Sequence, residues 1–132
     1  MLDRSRMVKL TLLITLVPML CCGMDRMSAL SMLETADNDS MVGRAGEISR
    51  YQILKREWQS VSASTRYQDP VLARQVTLQL VEQRVARFTR IYHRPPTDFE
   101  FYVLWNAPAQ VLKGRISPVV TERAKRFANL CS

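Results

Sequence analysis

Glu34, Gln52 and the pair Trp105-Asn106 are the residues of this chain whose types and spacing suit chemistry. From Glu34 to Ile53 the chain reads ETADNDSMVGRAGEISRYQI. An acid closes an apolar helical stretch, a glycine-punctuated turn follows, and a second helix capped by Ser49 is expected to carry Gln52. Glu34 follows Leu33 on a helix with an apolar face, so its carboxyl group is expected to be half-buried. Burial disfavours the charged form and raises the pKa. A carboxylic acid that is still protonated near neutrality can donate its proton to a leaving oxygen. The plainer alternative is a polar residue near a helix C-terminus. Gln52 has an amide suited to bridging Glu34 or binding a sugar hydroxyl, and Glu47 is placed to pair with Arg44 or Arg50. Trp105-Asn106-Ala107-Pro108 sets a ring that can lie on the apolar face of a sugar beside an amide that can bind an acetamido group. The competing reading makes Trp105 a core residue alongside Phe101 and Tyr102.

These groups need helices to position them. A first helix is expected from about Asp25 to Ala36, with Met27, Leu30 and Leu33 as its apolar stripe and Ala29 and Met32 broadening it. Asp37, Asn38, Asp39 and Ser40 supply turn chemistry that ends it. Gly46 suits a positive φ or a close backbone approach, and a small strand or extended turn fits Val42 to Ile48. The second helix is expected from Ser49 to about Trp58. Asp69-Pro70 is a strong helix start. The helix it opens is expected to run to Tyr92 and to form the spine of the domain, until His93-Arg94-Pro95-Pro96 stops it. Thr97 and Glu100 make a capping box for a helix bearing Phe101, Tyr102, Leu104 and Trp105. Ser117-Pro118 opens the last helix, whose apolar side is expected to be Val119, Val120, Ala124, Phe127 and Ala128. The fold class is therefore mainly α.

The chain has 132 residues, enough for one small domain. Residues 1–23 read as a signal peptide: basic Arg4, Arg6 and Lys9, an apolar run from Leu10 to Cys22, then Gly23. The run is short for a membrane span, and the alternatives are a retained anchor, a lipoprotein site or a buried helix. Residues 24–132 form the expected mature domain, with no stable membrane insertion after cleavage. Cys21 and Cys22 fall in the leader, which leaves Cys131 and no disulfide framework. The net charge is +7, but the arginines are scattered without interleaved aromatics, and export argues against a nucleic-acid partner. His93 is the sole histidine, so no metal site or cofactor is expected.

The motifs resemble those of the lysozyme-like soluble lytic transglycosylase family. In that family an acid followed by Ser or Thr ends the first helix, as Glu34-Thr35 does here. A glycine turn then leads to a short helix with a Gln followed by an aliphatic residue or Met, matched by GEISRYQI from Gly46 to Ile53. An aromatic-Asn-Ala-Gly motif follows, matched by Trp105-Asn106-Ala107-Pro108. The resemblance covers roughly Met27 to Leu130. Departures from the pattern are Ser49 at the second glycine of the turn, Leu54-Lys55 in place of a proline after the Gln motif, and Pro108 in place of the last glycine.

The resemblance implies a compact lysozyme-like helical domain, exported to the periplasm or cell wall and acting on peptidoglycan strands, with a monomer expected. It implies cleavage of the β-1,4 bond between N-acetylmuramic acid and N-acetylglucosamine. Glu34 would protonate the bridging oxygen and then, as a carboxylate, take the proton of the muramic C6 hydroxyl, which closes a 1,6-anhydro ring. Thr35, Ser49, Gln52, Tyr102, Trp105 and Asn106 are the expected substrate contacts. A lysozyme-type hydrolase would need a second acid; Asp37 and Asp39 are near in sequence but read as turn residues. A non-catalytic wall-binding protein is the alternative from another class, motivated by the altered turn residues. A basic nucleic-acid-binding helical protein is a distant third.

Overall fold

The computed structural model describes residues 23–132, so the expected leader lies outside the described residues apart from Gly23. The described residues form six helices: α1 (Arg26–Thr35), α2 (Lys55–Val61), α3 (Pro70–Tyr92), α4 (Asp98–Asn106), α5 (Pro108–Lys113) and α6 (Pro118–Cys131). Among them no helix is long and apolar enough to cross a membrane.

Most helix boundaries follow from local capping. Asp25 accepts from the Met27 and Ser28 amides at the start of α1, and Asp69 accepts from Val71 and Leu72 at the start of α3. Each bond satisfies an amide that the first turn of a helix leaves unpaired. Left-handed Ala36 and His93 end α1 and α3. Two boundaries differ from expectation. Ser49 caps no helix: α2 begins six residues later, at Lys55, without a side-chain cap. The residues before it form a tight turn, closed by a lone antiparallel bridge in which Ile48 and Ile53 exchange backbone hydrogen bonds of 2.8 Å. The short helix α5 was not anticipated. Pro108 occupies its first turn and Gly114 its left-handed end.

The spine is also not the longest helix. α3 buries a single stripe, Ala73, Val76, Thr77, Leu80 and Phe88. The centre is α4, where Phe101, Tyr102, Val103, Leu104 and Trp105 are all buried. Five consecutive apolar residues at 3.6 per turn leave no polar face, so this helix must be covered on every side. It packs against α3, α5 and α6, while α1 lies on α6 and α2 on α3. On α6, Val120, Ala124 and Phe127 are buried but Val119 is 72% exposed, because it points away from α4. Met32 on α1 is likewise exposed.

The capping box of α4 is doubly held. Glu100 accepts from the Thr97 amide at 3.0 Å and from Arg94 at 2.7 and 2.8 Å, while Thr97 Oγ1 accepts from the Glu100 amide. The Arg94 guanidinium is the largest cause holding the Glu100 carboxyl down at about 2. A carboxyl depressed by folding stabilises the fold above its ordinary value and stops doing so as pH falls towards the depressed one. Glu100→Ala is therefore expected to cost about 1 kcal/mol at neutral pH. The difference from wild type should shrink as pH falls from 4.5 towards about 2, as read by urea unfolding at several pH values.

Candidate active site

Glu34 stands on the last turn of α1, where the helix packs on α6. Its side chain is 7% exposed. Tyr102 Oη, from α4, donates to Glu34 Oε1 at 2.7 Å, and Arg123 Nη2, from α6, donates to the same oxygen at 3.2 Å. Burial is the largest influence on this carboxyl and pushes its pKa above the usual 4.5. The Tyr102 hydrogen bond and the Arg123 charge oppose burial, and the nearby Glu47 charge adds to it. The result is a carboxyl fixed in direction by two donors, with burial raising its proton affinity above that of a free carboxyl. Burial and the adjoining Glu34 also push the Tyr102 phenol upward, so its proton stays in place to make that bond.

Glu34 lines a cleft of about 400 Å³ together with Glu47, Gln52, Trp105, Asn106 and Arg123. A volume of this size accommodates a small-molecule or sugar-unit ligand. Four of the residues singled out in the sequence thus come together here: Glu34, Gln52, Trp105 and Asn106. Asn106 is exposed, and among the described residues its side chain makes no protein hydrogen bond. Trp105 is a core residue that also lines the cleft. Its ring is 7% exposed and its Nε1 donates to the Tyr51 carbonyl at 3.0 Å, yet one edge reaches the cleft.

The other expected contacts sit elsewhere. Thr35 is buried, and its Oγ1 donates to the Arg50 carbonyl at 2.9 Å, which ties the end of α1 to the turn that follows. Ser49 is buried in that turn at φ 66°, accepts from the Tyr51 amide, and faces a separate groove on the far side of the loop. Tyr102 reaches the carboxyl and does not line the cleft. The Gln52 amide does not bond Glu34: Nε2 donates to the Met41 and Ser49 carbonyls at 3.3 and 3.0 Å and so braces the loop. Glu47 pairs with neither Arg44 nor Arg50, and accepts instead from the Ala45 amide at 2.9 Å. Arg50 is taken by Asp39 in a two-pronged pair at 2.7 and 2.8 Å, with Asp37 at 3.8 Å. Neither aspartate lines the cleft.

No family model, curated protein or solved structure matches this chain.

Sequence reading passed over the basic side of the cleft. Arg123 precedes the buried Ala124, and Arg84 precedes the half-buried Val85, so both sit beside an apolar stripe of a helix. A long cationic side chain at such an edge can lay its stem on the core and turn its head into a neighbouring cavity. That periodicity is the signal by which both could have been found. No group of three or more potential metal ligands occurs among the described residues.

Gly43 shapes the cleft by having no side chain. A Cβ there would collide with Glu47 Oε2 and Gln52 Oε1. Both are ends of flexible side chains, so Gly43→Ala is expected to fold with a loss below about 1 kcal/mol. Displacing two cleft groups is expected to weaken ligand binding in the cleft by about tenfold. Thermal unfolding and a binding measurement on the same sample check both halves.

Proposed function

We propose that this protein is an exported peptidoglycan lytic transglycosylase of lysozyme-like fold, with Glu34 as its single acid and base. The observation that carries the reading is the buried Glu34 carboxyl, aimed by Tyr102 and Arg123 and lining a cleft that also holds Trp105 and Asn106. A general acid must be protonated before the glycosidic bond breaks, and burial favours that state. Once the proton has passed to the leaving oxygen, the carboxylate is stabilised by the hydrogen bonds from Tyr102 and Arg123. The same group is then ready to take the proton of the C6 hydroxyl. Two donors on one oxygen leave Oε2 for the substrate. Trp105 and Asn106 offer a ring edge and a free amide for an N-acetylated sugar. The left-handed φ of Ser49, where the family carries glycine, supports the motif alignment, whereas Gln52 stands in a turn at φ 55° and not on the short helix that the resemblance implies.

Glu47 favours a second reading, a muramidase that adds water. It is the second carboxylate of the cleft close enough to raise the proton affinity of Glu34, and hydrolysis uses such a pair. Mass spectrometry of peptidoglycan fragments after incubation with the full chain separates the two. Products ending in 1,6-anhydromuramic acid support the transglycosylase; reducing ends support the hydrolase. A folded protein that yields neither would sink both enzymatic readings and leave wall binding.

A further inference from the structure

The charges of the cleft do not cancel. Of its arginines, Arg84 is paired with Glu57 at 2.7 Å and Arg123 with Glu34 at 3.2 Å. Glu47 is held by a backbone amide. Arg44 and Arg56 line the same cleft, are exposed, and among the described residues make neither an ion pair nor a hydrogen bond to protein. They come from different segments, Arg44 from the loop after α1 and Arg56 from the first turn of α2. A shallow recess lined by Ala45, Gly46, Leu54, Lys55 and Arg56 shows that these segments meet at one edge of the cleft. Elsewhere around the cleft and its loop, arginines have been matched with carboxylates: Arg50 with Asp39, Arg84 with Glu57, Arg123 with Glu34. At this edge two guanidinium groups stand open on the cleft that Glu34 also lines.

We propose that Arg44 and Arg56 are specificity-determining residues that read a carboxylate on the glycan, so that the cleft selects muramyl strands over neutral N-acetylglucosamine polymers. This rests on the reading of the cleft as a glycan site. A guanidinium suits the task because its planar donors match a carboxylate. The two polymers share their backbone sugars, and what differs is the anionic substituent. That carboxylate has two sources, the lactyl group of a peptide-free muramic residue or the stem peptide of a substituted one. Both are the same chemistry for an arginine.

The test uses full-length protein carrying Glu34→Gln, so that binding is read without turnover, with and without Arg44→Gln and Arg56→Gln. Three soluble probes of matched length are compared: peptide-bearing muramyl strands, peptide-stripped muramyl strands and chitin oligosaccharides. The paired arginine substitutions are expected to weaken muramyl binding by about tenfold, reduce its salt dependence, and leave chitin binding unchanged. A loss confined to stripped strands assigns the lactyl carboxylate, and one confined to peptide-bearing strands assigns the stem peptide. Equal weakening on muramyl strands and chitin, or no weakening on either muramyl probe, overturns the proposal. So does the absence of binding to all three probes. Products from wild-type protein are measured separately: arginine-dependent muramyl binding without cleavage would sink the enzyme and keep the specificity, while cleavage indifferent to both arginines would do the reverse. Both arginines are exposed and unpaired among the described residues, so the substitutions are expected to leave the thermal midpoint unmoved.

Discussion

Glu34→Gln is expected to lower glycan cleavage by roughly 100-fold or more, the range lost with a general acid, in a protein that remains folded. The substitution suits the site. A glutamine carbonyl still accepts from Tyr102 and Arg123, so the geometry around Oε1 is kept while the transferable proton is lost. Stability should respond in the opposite sense to activity. A carboxyl whose pKa is raised by folding contributes stability below its unfolded value and loses it as pH rises through the raised one. Wild-type protein is therefore expected to lose stability as pH climbs above 4.5 and past the raised value of Glu34. The glutamine variant lacks that loss and should hold its unfolding midpoint better over the same window. Turnover by product analysis and urea unfolding across pH measure the two effects. Unchanged cleavage in the variant would remove Glu34 from the chemistry whatever the stability curve does. The alkaline limb of the wild-type rate profile should likewise report Glu34, which must carry its proton for the first half of the cycle.

Arg84→Met is expected to be the most destabilising single change in the cleft wall. The Arg84 head is 17% exposed and makes three hydrogen bonds: to the Leu104 carbonyl at 3.1 Å, the Trp105 carbonyl at 2.6 Å and Glu57 at 2.7 Å. The two carbonyls belong to the last turn of α4, where a helix leaves its acceptors unpaired and where a positive charge is favoured. The guanidinium also lies over the Trp105 ring, 4.9 Å from its centre. One side chain of α3 thus closes the end of the core helix and fixes α2 through Glu57. Methionine would keep much of the stem packing but leave two carbonyls and a carboxylate without their donor. A loss of about 2–3 kcal/mol is expected, below the full cost of breaking a buried pair because Glu57 is partly solvated. Adding Glu57→Gln should recover part of it, since the stranded charge disappears. Chemical unfolding of the two single variants and the double variant measures that coupling; strict additivity would show that the pair is not a unit. Because Trp105 and Asn106 lie at the same helix end, Arg84→Met should also weaken glycan binding.

The local chemistry of the chain was legible in its residues. Asp25, Asp69, Thr97 and Ser117 each start a helix because a short polar side chain can reach the free amides two or three residues ahead. Such bonds span one turn and need nothing from the rest of the fold. Some burial of Glu34 could be read for a similar reason, from its place beside an apolar stripe, but its side chain is more deeply buried than that position alone implies because Tyr102 and Arg123 close over it. The turn at Ser49 could not. A serine after a glycine turn looks like a cap, and the bridge that makes this segment a turn pairs Ile48 with Ile53, both buried in the core.

Sequence by itself determined that the chain is helical, where most helices begin, and that Glu34, Trp105 and Asn106 are candidates for one site. Those properties arise from neighbours within a turn or two. The tertiary structure alone decided which partners each candidate receives. Tyr102 and Arg123 are separated from Glu34 by 68 and 89 residues, yet both donate to one oxygen. It also turned Gln52 and Thr35 into braces for the loop and left Arg44 and Arg56 open at the edge of the cleft. Pairing between distant charges follows from how helices pack, because an arginine bonds whichever acceptor the packed core leaves within its reach, and no spacing along the chain records that choice.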